Sequence, residues 1–183
     1  MRVKGFKYSV IHQGKITSLF YYFIISMLVL AIGSCKIYRF TDASVDPNWK
    51  TFSVAQTTNI ATLQNPNAAP TFTEKMKERF LRDTRLSLIR ESGDLEFSVV
   101  ITEYNIDPVA ITNTETTAQN RLNISVKVDC VNKRDNSKSF SQSFRDGENY
   151  DANKQFSEVE NALINTIFDR LVQQTFNRTF GNW

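Results

Sequence analysis

The stretch Leu122-Asn123-Ile124-Ser125-Val126-Lys127-Val128-Asp129-Cys130-Val131 alternates apolar and polar side chains for most of its length. Neighbouring side chains on a strand point to opposite faces. Leu122, Ile124, Val126, Val128 and then Cys130 therefore share one face, and Asn123, Ser125, Lys127 and Asp129 share the other. Leu95 to Tyr104 repeats the pattern, with Leu95, Phe97, Val99 and Ile101 set against Glu96, Ser98 and Thr102. One buried and one wet face is the habit of an antiparallel or mixed sheet.

Working outward, Phe52 and Val54 alternate with polar residues in Trp49 to Gln56, which predicts a short first strand. Residues 57–70 read as a polar loop with two prolines. A helix follows, with Thr71 and Glu74 at capping-box spacing and Phe72, Met76 and Phe80 recurring every four residues. Leu86 to Ile89 read as a short strand ended by the Ser92-Gly93-Asp94 turn. Lys133 to Lys138 make a hairpin turn into a strand holding Phe140 and Phe144. Ser157 and Glu160 form a second capping box, opening a long helix. Its stripe is Leu163/Ile164, Ile167/Phe168, Leu171/Val172, Phe176 and Phe180. The expected fold is α+β: a two-layer sandwich with both helices on one face of a mixed or antiparallel sheet of about four strands. Strand order stays open. If the first two strands are neighbours, the helix between them makes the pair parallel.

The amino end has its own logic. Arg2, Lys4, Lys7 and Lys15 precede an uncharged run from Ser18 to Ile32, and Gly33, Ser34 and Cys35 close it. That run is too short for the ~20 residues of a membrane-crossing helix, and it ends in a cleavage-like site. It has the pattern of a bacterial lipoprotein signal. Residues 1–34 are expected to be a removed leader, 35–48 a lipidated tether and 49–183 a single domain. Cys35 would carry diacylglycerol and an N-acyl chain.

Removing the leader takes four of the 22 basic residues and none of the 19 acidic ones, so 18 Lys plus Arg remain, a net charge of about −1. No basis for nucleic-acid binding survives. His12 is lost too, and it is the only histidine. Imidazole catalysis and the common zinc sites go with it. Cys130 then has no thiol partner and continues an apolar strand face, which reads as a buried structural cysteine. The remaining residues hold no phosphate-binding glycine loop, nucleophile elbow or metal cluster. Glu158 and Glu160 are explained by their place at a helix N-terminus. The sequence predicts no enzyme, no metal and no cofactor beyond the covalent lipid.

Two stretches are candidates for binding. Val109 to Asn120 is a long Thr-rich connection between the two long strands, and loops of that length tend to be functional. The basic tip Lys133, Arg134 and Lys138 could meet an anionic sugar-lipid through charge-assisted hydrogen bonds. A solvated turn is its plainer reading.

Cys35-Lys36-Ile37-Tyr38-Arg39-Phe40, Phe72-Thr73-Glu74-Lys75-Met76-Lys77 and Gly93-Asp94-Leu95-Glu96-Phe97 together resemble the LptE family of lipopolysaccharide-assembly lipoproteins, in its Bacteroidota form. So do Tyr104, Pro108 to Ile111, Thr116-Thr117-Ala118-Gln119-Asn120-Arg121-Leu122 and Asn182-Trp183. The resemblance covers essentially the whole chain after the leader. It implies two helices against a sheet and the outer-membrane β-barrel LptD as partner. Lys36 and Ile37 after Cys35, with no acidic run nearby, give no cue for export to the cell surface, so the domain is expected on the periplasmic side of the outer membrane. The family member plugs the barrel, assists its assembly and contacts lipopolysaccharide. Of the family's site residues only the lipidated cysteine carries over, to Cys35. The alternative is a stand-alone periplasmic lipoprotein that binds a soluble ligand or cell-wall glycan.

Overall fold

The structure is a computed structural model, and it describes residues 45–63, 65–109 and 118–181. Among these residues, six strands and two α-helices follow one another: β1 (Thr51–Val54), β2 (Thr58–Asn59), α1 (Ala68–Asp83), β3 (Ser87–Leu88), β4 (Leu95–Val109), β5 (Gln119–Asn132), β6 (Phe140–Asp151) and α2 (Phe156–Phe180). The sheet order is β3-β1-β4-β5-β6, and β2 also pairs with β4. Pairs among β1, β3 and β4, and between β2 and β4, are parallel, while β4-β5-β6 is an antiparallel meander. The sheet is therefore mixed, as a helical crossover between neighbouring strands requires.

The expected α+β arrangement holds, with six strands instead of about four. One addition is β2, two residues inside the stretch read as a polar loop. It is held by its ladder to Val100 and Ile101 and by the buried bond from the Thr57 amide to Thr73 Oγ1, 3.0 Å. Two residues offer no hydrophobic period, so nothing in the sequence marks β2.

Both helices begin earlier than their capping-box spacing implies. α1 starts at Ala68 behind Asn67, whose carbonyl accepts from the Thr71 amide, so Thr71 is already helical and caps nothing. Pro70 suits a first helical turn, and Ala68 is fully buried there. α2 starts at Phe156 behind Gln155. Glu160 turns instead to the buried Tyr104, whose hydroxyl donates to its Oε1 at 2.6 Å.

The long hairpin runs further than its apolar pattern. A register shift between Ile101 and Glu103 inserts Thr102 as a bulge, so the buried side resumes at Tyr104 and not at 103. Pairing then continues to Val109 and Gln119 through polar residues, leaving less of Val109 to Asn120 as a connection than the sequence suggests.

The core lies between helices and sheet. Phe80 of α1 sits at its centre, with ring centroids 5.6 Å from Phe52, 5.0 Å from Phe97, 5.6 Å from Phe176 and 5.4 Å from Phe180. Phe72 meets Phe168 edge to face at 5.1 Å. Fully burying such a side chain contributes roughly 1.5–3 kcal/mol. Every residue expected in the α2 stripe is buried. Cys130 is buried as well, and burial pushes its thiol up to about 12, which makes it inert.

Candidate functional site

Two neighbouring regions outside the core carry the polar chemistry: the open sheet face and the sheet end where the β5–β6 hairpin meets the starts of β1 and β4. On the open face, Asn123 Nδ2 donates to Asp107 Oδ2 at 2.7 Å and Arg121 Nε donates to Asn123 Oδ1 at 3.2 Å. Arg121 also reaches Asn149 across β6. Gly147 makes this possible, because a Cβ there would lie 2.5 Å from Asn123 Oδ1 and 2.7 Å from Arg121 Nε. Further along, Glu103 accepts from Ser125 Oγ at 2.6 Å and pairs with Arg145 at 3.1 Å. The polar residues assigned to this face in sequence do lie there. Asn123 is nevertheless buried, and among the described residues the side chains of Arg121 and Asp107 beside it bond to it.

The basic tip is built around Asp94. Its Oδ2 accepts from the amides of Lys50 (2.8 Å) and Thr51 (3.0 Å) and from Thr51 Oγ1, and its Oδ1 accepts from Arg134 Nε at 2.6 Å. The Lys50 amide first, then Arg134 and Thr51, hold its carboxyl down to about 2. Gly93, just before it, passes so close to β1 that a Cβ would lie 2.7 Å from the Phe52 carbonyl carbon. Asn132 shapes the hairpin by accepting the amides of Arg134 and Asp135 on Oδ1, both at 2.9 Å.

The structure brings Lys133, Arg134 and Lys138 to this one end, and each faces an acid. Lys133 pairs with Glu96 at 2.7 Å, Arg134 with Asp94, and Lys138 with Asp46 at 2.9 Å. The bond from Lys138 lowers the Asp46 carboxyl and raises the Lys138 ammonium, which also lies 5.2 Å from the Trp49 ring centroid. These side chains remain about half exposed, at 43%, 59% and 47%. Beside them opens a hollow of about 710 Å³ lined by Asp46, Trp49, Lys50, Arg134 and Asp135. Sequence reasoning found the three cations and missed Asp46, Asp94 and Glu96, which lie far off along the chain.

The arrangement can hold or exchange anions through paired cations, and it presents no nucleophile with a base. Among the described residues no group of three His, Cys, Asp or Glu could hold a metal. Among them, too, no helix is long and apolar enough to cross a membrane. Cys35, the leader and most of the Thr-rich connection lie outside the described residues.

The model of a family described as "LptE: Lipopolysaccharide-assembly" matches residues 49–179. Among solved structures, uncharacterized lipoprotein B from Nitrosomonas europaea superposes with a TM-score of 0.51 at 11% identity, covering 72% of this chain and 83% of that one. A Xanthomonas campestris protein gives 0.50 at 8% identity, covering 74% and 88%. Likeness at such identity shows the fold alone. No curated protein matches the chain.

Proposed function

This chain belongs to the LptE lipopolysaccharide-assembly family, and from that membership we propose that it is the lipid-anchored partner of the outer-membrane β-barrel LptD. In this reading it assists the barrel's assembly, fills its lumen as a plug and helps lipopolysaccharide reach the outer leaflet. The family match over residues 49–179 carries the proposal. The open sheet face supports it, because a body seated in a water-filled lumen needs a polar outer surface. The family is non-enzymatic, and the role needs no catalytic group or cofactor.

Residues 1–34 act as the leader, 35–48 as tether and 49–183 as the working domain. Cys35, acylated, holds the domain on the periplasmic side of the outer membrane, each buried methylene adding ~0.8 kcal/mol. Palmitate labelling of wild type and Cys35→Ala tests the anchor, and equal labelling would remove it. Lys133, Arg134 and Lys138 meet the phosphates of lipopolysaccharide by exchanging them for Asp94, Glu96 and Asp46. Replacing all three with Ala should weaken lipopolysaccharide binding at low salt; unchanged affinity would strike them from the site. Depletion in the native bacterium tests the role itself. Lipopolysaccharide should then accumulate short of the cell surface, and normal surface display would count against transport.

A further inference from the structure

Among the described residues the long free rim of the sheet is β6, twelve residues, the other edge being the two-residue β3, and the hydrogen-bonding groups of β6 divide into two sets. The Ala152 amide donates to the Ala118 carbonyl at 3.0 Å, and the β5–β6 register runs without interruption from there to Phe140 opposite Cys130. Antiparallel ladders alternate, so the even-numbered residues of β6 bond to β5 and the odd-numbered ones turn their N–H and C=O outward. Two odd positions confirm the phase. The Gly147 amide donates to its neighbour's Asp146 Oδ1 at 2.7 Å, its carbonyl accepts from Arg170 Nη2 at 3.2 Å, and the Asp151 carbonyl accepts the Lys154 amide.

Within β6 the outward groups that find partners are those of Gly147 and Asp151, both in the second half of the strand. Arg170 is fixed there by Asp146 at 3.0 Å and Glu148 at 2.7 Å, so the block at Gly147 is a braced one. Over Ser141, Ser143 and Arg145 no protein group among the described residues meets the outward amides and carbonyls. Proteins commonly blunt an exposed strand edge, because it invites pairing with another chain. Here the blunting stops where a five-residue window begins.

We propose that Ser141–Arg145 receives an extended segment of a partner protein as a further antiparallel or parallel strand, and that Asp146, Gly147 and Arg170 set where this pairing ends. The position of α2 decides against a second copy of the chain as occupant. Its Arg178 lies 4.7 Å over the Phe140 ring and bonds Gln142 at 3.0 Å, Arg170 reaches Asp146 and Glu148, and Phe156 meets Tyr150. The helix therefore covers β6 along its length. Paired rims stand ~4.8 Å apart, whereas packed helix axes need ~8–10 Å, so two copies would overlap in the helix layer. A lone strand brings no helix. On the open face it meets Ser141, Ser143 and Arg145, which is 58% exposed while paired with Glu103 at 3.1 Å, and this suits a polar segment whose acidic residue shares the arginine with Glu103.

The test is residue-resolved amide exchange on the full-length lipidated protein, in native outer-membrane fractions and after purification in detergent. Ser143 and Arg145 should exchange about tenfold or more slower in the membranes, while Asn149, beyond the cap, keeps its rate. Equal rates in both states, or equal slowing at Asn149, overturn the proposal. Ser143→Pro deletes the central outward donor and spares the ladder to β5, a position where proline is tolerated. It should abolish the slowing at Arg145 with the circular dichroism spectrum unchanged, and slowing that survives it refutes strand pairing. A purified dimer that Ser143→Pro returns to monomer would assign the rim to a second copy and also refute the inference.

Discussion

Replacing Phe80 with alanine probes the packing of all the layers at once. Phe80 is fully buried, and its ring touches Phe52 of β1, Phe97 of β4, and Phe176 and Phe180 of α2. Removing a buried phenyl ring costs about 3–5 kcal/mol in lost transfer and residual cavity. Four edge-to-face or tilted neighbours put this site at the upper end, since each such pair adds ~0.5–1.5 kcal/mol beyond its area. With a urea slope of about 2 kcal/mol/M, a loss of about 5 kcal/mol moves the unfolding midpoint down by about 2.5 M. Tryptophan emission can follow the transition, as Trp49 lies 6.2 Å from Phe180. Phe140→Ala is the control, a half-buried ring at the rim covered by Arg178, expected to cost about 1 kcal/mol. The reasoning fails if Phe80→Ala costs no more than Phe140→Ala. It fails too if a Phe80/Phe180 double-mutant cycle returns no coupling where about 1 kcal/mol is expected.

Asp94→Asn should destabilise the fold at neutral pH. A carboxyl held near 2 instead of 3.8 stabilises the native state above about pH 4, and that contribution is lost as pH falls through about 2. The stability gap between variant and wild type should therefore stay constant from pH 7 to about 4 and then close, and a gap still full-sized at pH 2 would contradict the Asp94 clamp. Tyr104→Phe removes the bond to Glu160 and should cost about 1–2 kcal/mol in urea titrations; a neutral variant would mean that water replaces the contact. Gly93→Ala forces a Cβ against the β1 backbone and should cost about 1–3 kcal/mol, which a thermal melt indistinguishable from wild type would disprove.

The residues show why the sheet's centre was legible and its margins were not. Leu95 to Val99 and Ile124 to Cys130 alternate cleanly because one face meets two helices, so period and burial agree. Thr102 breaks that agreement by adding one residue, and the strand beyond it carries the half-buried Asn105 and the exposed Asp107, which are held by local hydrogen bonds and not by apolar packing. Capping boxes at Thr71 and Ser157 failed for a related reason. Local spacing gave way to tertiary contacts, namely Ala68 in the core and Glu160 on Tyr104. At the tip, Lys133, Arg134 and Lys138 were visible as a local cluster, but their acidic partners come from the approach to β1 and the start of β4. Only the folded sheet joins these segments.

Purification of the lipidated protein from its own outer membrane in mild detergent decides whether it is the partner of LptD. It should emerge in a stable, stoichiometric complex with one large β-barrel identified as LptD by mass spectrometry. Recovery as a lone lipoprotein, with LptD in separate fractions, would contradict that partnership.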